Sequence, residues 1–334
     1  MDGLKAIDWF GSLSIVGLTV MLLLGLDFGG ATFPWKSATV ICLIIFGGLM
    51  SILFIFSEKK LARYPLMPLY LFAKPSAAAS LVVDFAQGFV YIAIEYYMPL
   101  YFQSAQSASP LRSGVLTVPF IVAEASMGIA TGVIIHRTGR YQELIWAGIV
   151  LLTIGNGLLI DFDVSSSIAK IVIFQLVAGL GAGMLFEPPL IAIHALVSQE
   201  DTATATSTFG FVRNLATSCS IVIGGVVFQN GMDLQAPNLK RAGLSTDLVQ
   251  EFSGRYAAAN VMRIGTIQDP MQQIIVKRAF AWSLHNLWIL TTCISAVGII
   301  ASVFITRDFL SKEHTETITG LVKEKREKVI APGS

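Results

Sequence analysis

Long apolar runs alternate with short polar breaks along this chain, at intervals that suit membrane helices. A hydrocarbon core about 30 Å thick takes ~20 apolar residues per helix. By that measure eight spans are predicted, near residues 10–27, 38–57, 79–103, 113–135, 142–161, 168–196, 205–229 and 282–306. The first two are nearly pure hydrocarbon, with Gly25, Gly29, Gly30 and Pro34 in or beside their connection. The third reads LVVDFAQGFVYIAIEYYMPLYF from Leu81 to Phe102 and carries Asp84, Gln87, Tyr91 and Glu95. At ~100° per residue these four fall within one stripe about 80° wide. Ionised groups in hydrocarbon cost roughly 2.5–3.5 kcal/mol each on insertion scales, so the stripe is predicted to line a hydrated pathway.

The polar connector SEKKLARYPLMPLYLFAKPS separates the first two spans from the rest, and Pro65, Pro68 and Pro75 resist one continuous helix there. The predicted layout is two transmembrane helices in 1–60, a cytoplasmic connector at 61–78, a six-helix bundle at 79–308 and a cytoplasmic tail at 309–334. The tail is charged and predicted to be disordered. A long extracellular loop is expected at 230–280, in which Leu248, Phe252, Tyr256 and Ala259 predict an amphipathic helix lying at the outer interface. Asp269 and Pro270 read as the N-cap and first residue of the last helix. Gly128 with Gly132, then Gly179, Gly181 and Gly183, then Gly224 with Gly225, predict close helix packing or a sliding surface.

Orientation follows from the short loops. One set carries Lys5, Lys59, Lys60, Arg63, Lys74, Arg137, Arg140 and the basic tail after Arg307, while the other carries Lys36, Arg112, Asp161 and Asp163. Both termini are therefore expected to be cytoplasmic. The start MDGLKAIDW shows no basic leader, so the first span is expected to insert as it stands.

Composition confirms the class. Of 334 residues, 54% are hydrophobic and 13% charged, and the mean hydropathy is +0.68. Soluble domains run to about 25% charged residues, so the expected fold is an all-α integral membrane bundle. The net charge of +1 and the lack of a basic, aromatic-interleaved stripe argue against a nucleic-acid partner. Cys42, Cys219 and Cys293 sit in apolar segments as small hydrophobes, with no spacing for a disulfide or a metal site. A nucleophile elbow, HExxH, P-loop and paired-cysteine motif are all lacking from the sequence, so no enzyme activity is expected.

The candidate chemistry is a set of polar groups at membrane depth. Asp84, near the inner end of its span, reads equally as a solvated group or a functional one. Glu95 lies past the middle of the same span, where solvation explains a carboxylate less easily, and it fits a proton-coupling role. Glu124 is near the centre of the fourth span and shares a face with Thr117, Gly128 and Thr131; it reads as a second cavity carboxylate or as a buried, permanently protonated one. Glu187 precedes Pro188 and Pro189, where the helix should kink or unwind. Asn156 and Gln175 can hydrogen-bond substrate, although interhelical bonding is the reading favoured for such amides. Arg213 either snorkels to the inner interface, the favoured reading, or pairs with a buried carboxylate.

Several stretches together resemble the major facilitator superfamily, specifically the fungal form of its fourteen-span drug:proton antiporter branch. They are IDWFGSLSIVGLTVMLLLGLDFGG at 7–30, ARYPLMPLYLF at 62–72, YYMPLYFQSAQSASPLRSGVLTVPF at 96–120 and GVIIHRTGRYQELIWAG at 132–148. To these add FQLVAGLGAGMLFEPPLIAI at 174–193, TATSTFGFVRNLATSCSIVIGGVVFQN at 204–230, and RAFAWSLHNLWI with LSKEHTETITG near the end. In that family two central spans link two six-helix bundles, and substrate binds between the bundles. The resemblance implies that this chain holds the linker pair and the C-terminal bundle, with the N-terminal bundle absent. It also implies a proton gradient as the energy source, with no cofactor, and export of small amphipathic compounds such as drugs, toxins or siderophores.

Gly132, Arg137, Gly139 and Arg140 partly echo the family's intracellular gate loop, although His136 stands where the fuller pattern has an acidic residue. Alternating access needs two bundles, so the expected partners are the lipid bilayer, a small-molecule substrate, and either a separately made N-terminal bundle or a homodimer partner. The expected location is the plasma membrane, with the vacuolar membrane as the alternative. A non-transporting scaffold or regulatory remnant of such a transporter is the competing functional class.

Overall fold

A computed structural model describes residues 8–29, 32–61, 67 and 69–306. The tail predicted from residue 309 lies outside the described residues, as do Pro65 and Pro68 of the connector. Eight helical segments among the described residues are long and apolar enough to span a membrane. The helices are α1 (Trp9–Phe28), α2 (Ala38–Phe56, continued by a π-turn at Ser57–Leu61), α3 (Tyr70–Ala73), α4 (Pro75–Ser104), α5 (Pro110–Thr138) and α6 (Gln142–Leu159). They continue as α7 (Ile168–Met184), α8 (Pro188–His194), α9 (Thr202–Arg241), α10 (Thr246–Glu251), α11 (Tyr256–Ala259) and α12 (Pro270–Ser302).

Local chemistry sets most of the boundaries. Asp8 starts α1 by accepting from the Gly11 N–H at 2.8 Å, and Ser37, Ser109 and Ser167 cap α2, α5 and α7 in the same way. Proline opens α4, α5, α8 and α12, where its missing N–H costs nothing. Asp269 caps α12 as expected, accepting from Met271 N–H at 2.8 Å. Gly139 ends α5 with φ of 67°, a left-handed conformation that glycine adopts without strain.

The six-helix bundle is α4, α5, α6, the broken helix α7–α8, α9 and α12. α4 packs along both α9 and α12, while α7 packs along both α5 and α6. The glycines of α7 permit that second contact: a Cβ on Gly179 or Gly183 would overlap the α5 backbone, and one on Gly181 the α6 backbone. α1 and α2 pair with each other and reach the bundle through α9. Helix ends near Pro75, Thr138, Gln142, Thr202 and Ser302 form what is called here the proximal end of the bundle. Those near Ser104, Pro110, Leu159, Ile168 and Pro270 form the distal end.

Residues 230–280 differ from expectation. α9 does not stop at residue 229 but runs on to Arg241, passing Pro237 within its last turns. The interfacial amphipathic helix is also replaced, by two short helices parted at Gly254, whose φ is 50°. Phe252, Ala257, Val261 and Ile264 turn inward and join the main core, while Tyr256 and Ala259 are exposed. The segment therefore covers the distal end of the bundle as packed protein.

Candidate functional site

The double proline governs the geometry of the site. Pro188 and Pro189 supply no N–H to the preceding turn, so α7 closes on tightened bonds, Leu185 N–H to Ala182 and Phe186 N–H to Gly183. The Phe186 carbonyl is left outside the regular ladder. Arg213 of α9 answers it, with Nη2 donating to Phe186 O at 2.9 Å. The same guanidinium holds Asp84 of α4, with Nε and Nη2 at 2.9 and 2.8 Å from Oδ1. The rings of Phe186 and Phe209 flank it at 4.5 and 4.8 Å, a cation–π arrangement that suits a weakly hydrated, half-buried cation.

This corrects one expectation and removes one of the two equal readings of Asp84. Arg213 does not snorkel but joins three helical segments, and Asp84 is not a solvated end group, being 0% exposed. An aromatic residue four positions before the arginine was a signal available in the sequence, since Phe209 and Arg213 share a helix face.

Further along the α4 stripe, Gln87 is 1% exposed and neither its Nε2 nor its Oε1 has a hydrogen-bond partner; Asp84 Oδ2 is likewise unpartnered. Tyr91 follows, its ring 6.1 Å from that of Phe120 on α5. Glu95 stands four residues on from Tyr91 on the same helix face, and Glu124 and Arg213 lie close enough to act on Tyr91 electrostatically. Glu124 in turn senses Glu95 and Arg213. Glu95 and Glu124 are half-buried. The structure thus brings Asp84, Gln87, Tyr91, Glu95, Glu124 and Arg213 into one polar tract formed by α4, α5 and α9.

The other expected residues lie elsewhere. Asn156 is fully buried and bonds α6 to α12, its Nδ2 donating to Thr291 and Thr292 hydroxyls at 2.8 and 2.7 Å. Gln175 bonds α7 to α5 through Leu116 O at 3.0 Å. Both amides act as interhelical ties. Glu187 sits at the helix break but is exposed. Arg137, Gly139 and Arg140 are exposed at the proximal end, Gly132 is half-buried, and neither arginine makes an ion pair among the described residues.

A clasp at the proximal end was not anticipated. Tyr70 of α3 donates to Asp201 Oδ2 at 2.8 Å, and Lys74 Nζ donates to Leu196 O at 2.8 Å, just past α8. Leu71, Leu81, Ile193, Ala205 and Phe209 form a small apolar cluster above it. The connector is thereby fixed to the segment between α8 and α9.

Comparison with known proteins agrees with this architecture. Residues 5–226 match the family model described as the Major Facilitator Superfamily. The chain is 40% identical over 326 residues to a protein of Dothistroma septosporum named efflux pump dotC, covering 98% of this chain and 56% of that protein. It is also 40% identical to the MFS-type transporter ppz2 of Metarhizium majus, over 96% of this chain and 55% of that one. Efflux pump FUS6 of Gibberella fujikuroi is 31% identical over 97% of this chain and 58% of its own length. The chain spans about half the length of the curated relatives it matches. Among solved structures, a bacterial homolog of the human lysosomal transporter Spinster, inward-facing and occupied, superposes with a TM-score of 0.55 at 13% identity, covering 90% of this chain and 70% of that one. This chain belongs to the major facilitator superfamily.

Proposed function

We propose that this chain supplies the linker helices and one transport bundle of an exporter for small amphipathic compounds, driven by proton antiport. One observation carries the reading: two carboxylates on adjacent helices, Glu95 and Glu124, share an electrostatic neighbourhood with Tyr91 and Arg213 and are only half-buried. Ionisable groups at membrane depth are expensive unless they face water or protein, and two half-buried carboxylates on adjacent helices suit uptake and release of a proton during transport. Relatives named efflux pumps support export as the direction.

Alternating access requires a second bundle, and the chain spans about half of its relatives. The transporting unit is accordingly this bundle with a second one. In this reading the proximal end faces the cytoplasm, and Arg137 and Arg140 meet the second bundle there in one state of the cycle. The membrane is the plasma membrane.

The test uses liposomes with a fluorescent pH indicator inside and rhodamine 6G as the probe, holding the chain alone or co-produced with a second bundle. Proton-dependent rhodamine movement is expected, and Glu95→Gln or Glu124→Gln should abolish it at unchanged protein level. Full activity in both variants would remove these residues from coupling. No movement under any condition would favour a non-transporting scaffold.

A further inference from the structure

We propose that Gln87 holds water in a buried hydrogen-bonded path that carries protons along α4 between the Tyr91–Glu95 pair and Asp84. The inference rests on the proton-coupled reading above and gives it a route.

Neither polar atom of the Gln87 amide has a partner, although the residue is 1% exposed. Leaving a buried donor or acceptor unmet costs roughly 1–3 kcal/mol, and such groups in membrane and soluble proteins alike are commonly met by ordered water. Asp84 presents the matching vacant lone pairs. Both Arg213 contacts fall on its Oδ1, leaving Oδ2 unpartnered. Gln87 lies one turn beyond Asp84 on the same face, so one water can reach both.

On α4 itself, Gln87 is the side chain that can bridge the interval. Along a helix, Asp84 to Gln87 rises ~4.5 Å and Gln87 to Tyr91 ~6 Å. Proton transfer needs heavy atoms at about 2.6–3.2 Å or a water between them. Phe85, Ala86, Gly88, Phe89 and Val90 offer no polar side chain across that interval. An amide does not take up or lose a proton near neutral pH, so Gln87 is a positioning residue that orients water.

The step balances without any co-reactant. A proton arriving on Glu95 passes to the Tyr91 oxygen as the Tyr91 O–H proton moves to water. From there each water along the Gln87 amide takes one proton and passes one on, and the last gives a proton to Asp84 Oδ2. At each centre one O–H bond forms as another breaks, and Asp84 ends neutral. Arg213 is the charged group bearing on Asp84; Glu95, Glu124 and Arg213 bear on Tyr91. Of the groups near the helix break, Glu187 is exposed and the His194 ring is bonded to Thr206. Neutralising Asp84 would therefore loosen Arg213, and with it the hold on Phe186 O.

Time-resolved infrared spectroscopy of the full chain in liposomes tests this, following the Asp84 carboxylic-acid band after a pH jump. Asp84→Asn identifies the band by removing it. In Gln87→Leu, which fills the space without hydrogen bonding, the band should rise roughly tenfold more slowly or worse. In Gln87→Ser, which leaves room for water, the rate should stay within about threefold of the unaltered chain. A packing role alone would reverse that order, since Leu fills what Ser empties. Equal rates in Leu and Ser variants, a faster Leu variant, or no Asp84 band in the unaltered chain would overturn the relay.

If Gln87→Leu does not fold, a water-resolving crystallographic map of the unaltered chain decides. Density bridging Asp84 Oδ2 and the Gln87 amide supports the path, and a dry contact overturns it. Neither readout requires export, so an inactive chain with the expected band order would defeat the transport reading alone.

Discussion

Asn156 and Arg213 each hold polar groups between helices, the fully buried Asn156 between α6 and α12, the half-buried Arg213 between α4, α9 and the break after α7. Asn156 gives its amide hydrogens to Thr291, Thr292 and, at 3.3 Å, the Trp288 carbonyl. Every group involved is neutral, and all belong to two regular helices. Arg213 instead joins a buried carboxylate to a carbonyl left free where the helix breaks, since Leu190 N–H turns to Glu187 O. Neutral interhelical bonds are inexpensive ties, with a mean near 0.6 kcal/mol where measured. A desolvated ion pair is a poor way to gain stability, because desolvation can exceed the attraction. The contrast separates a neutral interhelical tie from a charged contact built on a helix break within one bundle.

Arg213→Ala should give the largest effect. It strands the Asp84 charge at 0% exposure and removes the donor to the Phe186 carbonyl, so a stability loss of about 3–5 kcal/mol is expected in detergent unfolding. Adding Asp84→Asn should recover part of that loss, because the second change removes the unpaired charge. A loss under about 1 kcal/mol for Arg213→Ala would place the pair in water and erase the distinction from Asn156.

Asn156→Leu tests the other side. It removes the bonds to Thr291 and Thr292 but leaves those hydroxyls their carbonyl partners on their own helix, Trp288 among them. The expected loss is about 0.5–1.7 kcal/mol in the same unfolding assay. The proposed transport should be unaffected at equal protein level. Loss of coupling in this variant would extend the functional tract across α6 and α12.

The two regions were not equally legible in the sequence. The α4 stripe follows from the spacing of Asp84, Gln87, Tyr91 and Glu95 alone, because helical periodicity is a property of one segment. The break at Glu187 was legible for a similar reason: the missing proline N–H acts on its own turn. The choice of partner for Arg213 was not. Asp84 lies 129 residues away, and the Phe186 carbonyl belongs to a third helix, so the contact depends on how three elements pack. The distal third of α9 was misread because Asn230, Asp233, Gln235 and Asn238 end the apolar run. A helix leaving hydrocarbon keeps its backbone bonds without needing apolar side chains, so the polarity marked the end of the span and not of the helix.

A third polar contact, outside the spans, sharpens the comparison by placing a carboxylate near water. Tyr70 donates to Asp201 Oδ2 at 2.8 Å, with Tyr70 38% exposed. Desolvation, reinforced by the Asp201 hydrogen bond and charge, pushes the phenol up to about 12 from its ordinary 10.0. Because the folded value is raised, the fold favours the protonated phenol, and this contribution is complete below about pH 10 and lost as pH rises through about 12. Tyr70→Phe removes the hydroxyl, and the exposure keeps the expected loss toward the low end of about 0.5–1.5 kcal/mol. Melting curves of the two proteins should stay separated by a small constant gap up to about pH 10 and converge toward pH 12. A gap rivalling that of Arg213→Ala, or one undiminished at pH 12, would mean that exposure to solvent is not what distinguishes this contact from the buried one.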